Sequence, residues 1–187
     1  MSLHLLDIIE NSVRAEATVI DIIIKAEILK NRLEISIKDN GTGMDSETVE
    51  KTQDPFYTTK EERVKKVGLG IPLFKHNAEI TGGSLVIDSL PGNGTGLHAT
   101  FQFDHVDRIP LGNIADTMIT AIVGHPEVDF NLNLIRRTVR GEELDYTLST
   151  LLIKEELGDI PLTYPDVIQF LENDIKEGII NTKMEEF

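Results

Sequence analysis

Between residues 18 and 39 the chain alternates apolar and polar side chains with a period of two, the pattern of strands that bury one face. Ile20, Ile22, Ile24, Ala26 and Ile28 share one side of a strand over 18–28, and Leu29 to Arg32 turn the chain. Leu33, Ile35 and Ile37 then share one side of a strand over 33–39. Upstream, Ser2 to Arg14 repeats apolar residues at helical spacing, with Ser2 placed to cap the helix. Downstream, a short helix near 46–52 leads into a polar loop from Gln53 to Val67. The next helix opens after Gly68-Leu69-Gly70, tolerates Pro72 in its first turn and closes at Gly82-Gly83. Ser84 to Ser89 and Leu97 to Phe103 read as two more strands joined by the glycine-rich loop Pro91 to Gly96. Four antiparallel strands backed by three helices predict an α/β fold of the two-layer α+β sandwich kind.

After Phe103 the pattern restarts. Pro110 precedes a helical stretch to about Val123, and Gly124 to Pro126 breaks it. Val128, Phe130, Leu132 and Leu134 alternate as a strand, and Arg140-Gly141-Glu142 reads as a hairpin turn to a partner strand bearing Leu144, Tyr146 and Leu148. Helices over about 150–157 and 165–178 complete the chain. The expected organisation is a front domain over 1–106 and a smaller C-terminal α+β extension over 107–187.

One position breaks the alternation. Asp39 falls in phase with Leu33, Ile35 and Ile37, so its carboxylate should point inward. Burying an unpartnered carboxylate costs several kcal/mol, roughly the penalty of unpaired buried charge. The glycines of Asn40-Gly41-Thr42-Gly43 leave room for a ligand to serve as partner. The break predicts a binding site.

Charge divides the chain unevenly. Residues 1–103 hold 15 acidic and 11 basic side chains, whereas residues 104–187 hold 17 and 7, out of a net charge of −14. So acidic a tail should repel nucleic acid. The sequence has no cysteine, which fits a reducing compartment and excludes disulfides and thiolate metal sites. No apolar run approaches the roughly 20 residues that span a bilayer, and the start Met1-Ser2-Leu3-His4 lacks the basic region of a signal peptide. A cytoplasmic protein without membrane contact is the expectation.

The first helix carries the chemistry that Asp39 lacks. His4, Asp7 and Asn11 share one stripe at spacings i, i+3 and i+7, beside an apolar face of Leu5, Leu6, Ile9 and Val13. An asparagine amide oxygen suits Mg²⁺, which keeps most of its waters and phosphate ligands and takes only one or two oxygens from a protein. Asp7, one turn earlier, is placed to orient or deprotonate a water near such a metal. Each of these residues alone would also suit a solvated helix face.

The spacing of these segments resembles a known superfamily. Leu6-Asp7-Ile8-Ile9-Glu10-Asn11-Ser12, Asp39-Asn40-Gly41-Thr42-Gly43-Met44, Asp54-Pro55-Phe56-Tyr57-Thr58-Thr59-Lys60, Gly68-Leu69-Gly70 and Gly94-Thr95-Gly96 are similar, in order, to the N, G1, F, G2 and G3 boxes of the GHKL ATPases. The resemblance covers roughly residues 1–103, and the F and G2 boxes look most like sensor histidine kinases. It implies a Bergerat-type ATP-binding fold with ATP and Mg²⁺ as ligands. Asp39 would accept the adenine amine, Gly43 would let the base approach the backbone, Thr95 would add a hydrogen bond through water, and Gly41 would belong to the same nucleotide-binding box. Asn11 would hold Mg²⁺. Gly68, Leu69 and Gly70 would offer the phosphates a helix start, Phe56 would anchor a lid, and Lys60 would reach the phosphates.

The departures matter too. Hydrolytic members usually carry glutamate four residues before the metal asparagine and histidine kinases asparagine; this chain has Asp7 there, the expected catalytic residue. The N box lies too near residue 1 for the upstream hairpin that bears a phosphorylated histidine, and His4 is expected to be structural or to orient water beside Asp7. Two readings follow: an ATPase or kinase acting on a separate protein phosphoacceptor, or an ATP-gated protein-binding module with little turnover. In both, the acidic tail is the expected docking element. A homodimer through the tail is possible but has no heptad pattern behind it.

Overall fold

A computed structural model describes residues 1–53 and 70–187. Six strands form one sheet in the order β3-β4-β2-β1-β5-β6: β1 Val19–Glu27, β2 Arg32–Asp39, β3 Ser84–Ser89, β4 Thr95–Gln102, β5 Asp129–Arg137 and β6 Glu143–Ser149. The helices are α1 Ser2–Arg14, α2 Ser46–Thr52, α3 Gly70–Ile80, α4 Ile114–Gly124, α5 Thr150–Leu157 and α6 Pro165–Asn181. The β3, β4, β2 and β1 ladders are antiparallel, as the alternation implied.

Register follows from burial. Ile22 pairs with Ile37, Ile24 with Ile35 and Ala26 with Leu33, and all six are buried. A slip of one residue would turn every one of them toward the polar face. That polar face bears Asp21, Lys25, Ser36 and Lys38, while α3, α1, α4 and α6 pack side by side as the second layer. Phe74 of α3 and Phe101 of β4, both fully buried, meet with ring centroids 5.3 Å apart.

The tail is joined to this frame by a strand. β5 runs parallel to β1 along its whole length, setting Phe130 beside Ile20, Leu132 beside Ile22 and Leu134 beside Ile24. Parallel neighbours need a long crossover, and here it runs from β1 through β2, β3, β4 and α4. The buried side chains of residues 107–187 fall in the same contiguous core as those of the front half. The position-106 boundary therefore lies within one sheet and one core. Phe187 packs at the far end, its ring 4.6 Å from that of Phe103 and its backbone oxygen accepting from Leu111 N–H at 2.9 Å.

The start of α1 is held differently from the expectation. Ser2 makes no side-chain cap; its N–H donates to the Leu111 carbonyl at 2.7 Å, and the Met1 amino group donates to the Pro110 carbonyl at 2.6 Å. Backbone from the segment before α4 thus takes the place of the cap. Among the described residues no helix is long and apolar enough to cross a membrane.

Candidate functional site

Where α1 crosses the ends of β2, β3 and β4, a cleft of about 270 Å³ opens. It is lined by Asp7, Asn11, Asp39, Gly43 and Thr95, five of the residues singled out by sequence. Ile8, Ile37, Met44, Ile71, Ile87 and Leu97 add apolar walls. A mostly apolar cleft with a few convergent polar groups is the usual form of a small-molecule site.

Asp39 is 6% exposed, so the phase break did report burial. Its carboxylate is not left to a ligand alone. Oδ1 accepts the Gly41 N–H at 2.9 Å and the Thr95 N–H at 3.1 Å, and Oδ2 accepts the Ser12 hydroxyl at 2.7 Å. A carboxylate offers about four lone-pair positions. Three are filled from among the described residues, and Oδ2 keeps one.

Ser12 is 4% exposed and was not among the sequence candidates, although a signal for it existed. Leu5, Ile8, Ile9 and Ser12 are the buried residues of α1, so Ser12 interrupts that apolar stripe as Asp39 interrupts the strand. Asn40 and Ser89 were also missed. Asn40 Oδ1 accepts from the N–H groups of Thr18 and Val19, both at 2.9 Å, tying the loop to the start of β1. Ser89 Oγ accepts the Met44 N–H at 2.8 Å and bonds Thr95 Oγ1 at 2.9 Å. The Thr95 hydroxyl is thereby engaged with Ser89, and its N–H serves Asp39.

The loop glycines are needed for packing within the chain. Gly43 has φ +67°, and a Cβ there would run into the Leu90 carbonyl oxygen. A Cβ on Gly41 would meet the Ala15 carbonyl. Both allow the 40–44 loop to nest against its neighbours, with Thr42 N–H donating to the Ala15 carbonyl at 2.8 Å. The Gly41 N–H, turned onto Asp39, is this residue's direct part in the site.

On α1, Asn11 Oδ1 accepts from Arg14 Nη1 at 2.8 Å in an exposed pair. The amide oxygen suited to Mg²⁺ lies on the cleft wall with a surface guanidinium as its present partner, and such an exposed contact is cheap to exchange. No cluster of three or more His, Cys, Asp or Glu able to hold a metal occurs among the described residues. The Asp7 carboxylate lies against Gly70 at the start of α3, where a Cβ would overlap it. Asp7 and the first residue of α3 therefore share one corner of the site.

His4 stacks on Phe74 with centroids 5.6 Å apart, and its Nε2 lies 3.5 Å from the Asn77 amide nitrogen. Burial and then the nearby N-terminal ammonium hold its pKa below the ordinary histidine value, against an opposing pull from Asp7. Phe56, Lys60, Gly68 and Leu69 lie outside the described residues.

Residues 3–105, more than half of the chain, match the model of the family described as histidine kinase-, DNA gyrase B- and HSP90-like ATPase. Sensor protein kinase WalK of Staphylococcus haemolyticus (strain JCSC1435) is 34% identical over 87 residues, covering 45% of this chain and 14% of the relative. WalK of Staphylococcus aureus is 33% identical over 87 residues, covering 45% and 21%. The chain thus spans only a small part of these relatives. Among solved structures, the N-terminal domain of a DNA repair protein aligns at TM-score 0.49 and 14% identity, covering 78% of this chain and 52% of that one. The Aquifex aeolicus MutL ATPase domain complexed with ADP aligns at TM-score 0.46 and 21% identity, covering 71% and 58%. With five boxes in order and a family match across the whole front half, the chain belongs to the histidine kinase-, DNA gyrase B- and HSP90-like, or GHKL, ATPases.

Proposed function

We propose that this protein binds Mg²⁺-ATP in the α1–β2–β4 cleft and passes the γ-phosphate to a side chain of a separate protein, or to water, in a regulatory role. The observation that carries this reading is the Asp39 carboxylate, buried, fixed by three donors among the described residues and left by them with one acceptor position on Oδ2. Adenine offers an exocyclic N–H to such an acceptor. Guanine presents a carbonyl oxygen at the corresponding place, and two facing acceptors leave both buried groups unpaired, an outcome that sites of this kind reject strongly. The apolar walls Ile37, Ile87 and Leu97 suit the faces of a base.

At the other end, Asn11 would exchange its Arg14 contact for Mg²⁺, and the metal's contribution is to neutralise charge on the phosphates. Asp7, beside the first residue of α3, would orient the attacking hydroxyl or water. Phe56, Lys60, Gly68 and Leu69 keep their proposed parts in lid and phosphate contacts.

The gated-module reading draws on a different observation. His125, in the turn between α4 and β5, bonds Glu10 of α1 at 2.9 Å, one residue from Asn11. A shift of α1 on nucleotide binding would reach the C-terminal half through this contact. Incubation with γ-labelled ATP and native extract separates the two. Label on a protein or released as phosphate supports turnover, and bound but uncleaved ATP supports gating.

A further inference from the structure

The far edge of the sheet carries a second concave surface, built from β6, α5 and α6, none of which contributes to the cleft described above. It is a groove of about 690 Å³. Its floor includes the buried Leu148 and Val167. Its walls present four large apolar side chains to solvent: Leu152 is 60% exposed, Ile160 50%, Tyr164 51% and Phe170 59%. Scattered apolar residues are ordinary on a surface, but several gathered in one groove mark an interaction site.

The groove is also one-signed. Among the described residues Glu156, Asp166 and Asp174 line it, and no Lys, Arg or His does. Asp174 is held in place, its Oδ2 accepting the Tyr146 hydroxyl at 2.6 Å. Glu155 and Asp159 are exposed nearby on α5 and just after it. These carboxylates belong to the half of the chain that holds 17 acidic and 7 basic side chains.

We propose that this groove docks an amphipathic helix of a separate protein, apolar on one face and rich in lysine or arginine on the other. Such a helix lays side chains at i, i+3 or i+4, and i+7 into an apolar groove. The field of the carboxylates would steer its cationic face and fix its polarity. Charge also ranks the alternatives. A second copy of this chain brings a net charge of −14 to a groove lined by carboxylates, and an anionic membrane surface is repelled for the same reason. A basic helix is the occupant whose apolar and charged faces both find a complement.

The test uses the full chain and two synthetic peptides of about 16 residues, long enough for four helical turns, with identical leucine faces and either lysine or glutamate elsewhere. Fluorescence anisotropy should show tight binding of the lysine peptide and none of its glutamate twin. Phe170→Ser combined with Leu152→Ser should cost about tenfold or more in affinity, with circular dichroism unchanged because both side chains are exposed. Glu156→Gln combined with Asp166→Asn should weaken binding and flatten its salt dependence. Equal binding of the two peptides, or undiminished binding by the Phe170→Ser, Leu152→Ser protein, would overturn the proposal. So would a native dimer in sedimentation equilibrium, or binding to phosphatidylserine vesicles, that the same double substitution abolishes.

Discussion

Ser12 Oγ donates to Asp39 Oδ2 at 2.7 Å, joining the buried face of α1 to the last residue of β2. Each residue is the polar exception in an otherwise apolar row, and each is the other's partner. The pair fixes the carboxylate while two backbone N–H groups hold the other oxygen. Hydrogen bonds to a buried charge are worth about 1.5–3 kcal/mol, so Ser12→Ala should lower stability by about that much. Urea unfolding should show a lower midpoint with an unchanged slope, and nucleotide affinity should fall with it because the acceptor is no longer held.

Asn11→Ala should leave the fold intact and abolish the tightening of nucleotide binding by Mg²⁺. Asn11 is half-buried on the cleft wall and bonded only to an exposed arginine among the described residues, so its loss opens no core cavity. Titrations with and without EDTA should give the same affinity in the variant and different affinities in the native protein.

Asp7 distinguishes chemistry from gating. If it orients the attacking group, Asp7→Asn should keep ATP affinity near native and lower turnover by roughly 10²–10⁴. Single-turnover release or transfer of labelled phosphate reads this directly, and an unchanged rate removes Asp7 from the chemistry.

The shared sheet makes a stability prediction of unusual sign. Gly178 sits inside α6, where glycine normally costs about 1 kcal/mol relative to alanine. Here a Cβ would overlap the Tyr146 ring, and overpacking of this kind costs about 1–3 kcal/mol. Gly178→Ala should therefore destabilise. Because β5 pairs with β1 along its whole length, calorimetry should show one transition moving down as a unit, not a tail melting ahead of the front half.

His4 gives the pH dependence. Its folded pKa is depressed by burial and by the N-terminal ammonium, so the unfolded chain takes up the proton first as pH falls. The stability linked to His4 is complete above its unfolded value of about 6.5 and is lost as pH drops through its lower folded value. His4→Gln should flatten the fall in stability just below pH 6.5, read as Tm against pH.

Much of the fold was legible because it rests on local periodicity. The β1 and β2 alternation, the α1 stripe and the inward Asp39 were all visible in residues a few positions apart. The parallel pairing of β1 with β5 was not, since nothing near Val19 or Asp129 indicates a partner more than a hundred residues away; only tertiary packing selects it. Ser12 escaped for a different reason. A serine in a helix row is common and often bonds its own backbone, so its break in the apolar stripe carried less weight than a carboxylate in a strand. Gly43 lines the cleft, and its positive φ and its approach to Leu90 also serve the loop itself. The boundary near residue 106 followed the restart of the local pattern after Phe103, and local pattern does not report sheet continuity.

The spare acceptor on Asp39 is the group proposed to read adenine. Asp39→Asn preserves the internal contacts: its amide oxygen can accept from Gly41 and Thr95, and its NH₂ can donate to Ser12 Oγ. Only the outward-facing capacity changes, from acceptor to donor, which suits the guanine carbonyl. Isothermal titration calorimetry of ATP and GTP against the native and Asp39→Asn proteins, at equal Mg²⁺, tests this most directly. The native protein should prefer ATP by a few kcal/mol, the scale of an unpaired buried group, and the variant should lose most of that preference through weaker ATP binding. Equal affinity of the native protein for ATP and GTP, or a preference untouched by the substitution, would rule out adenine selection by Asp39.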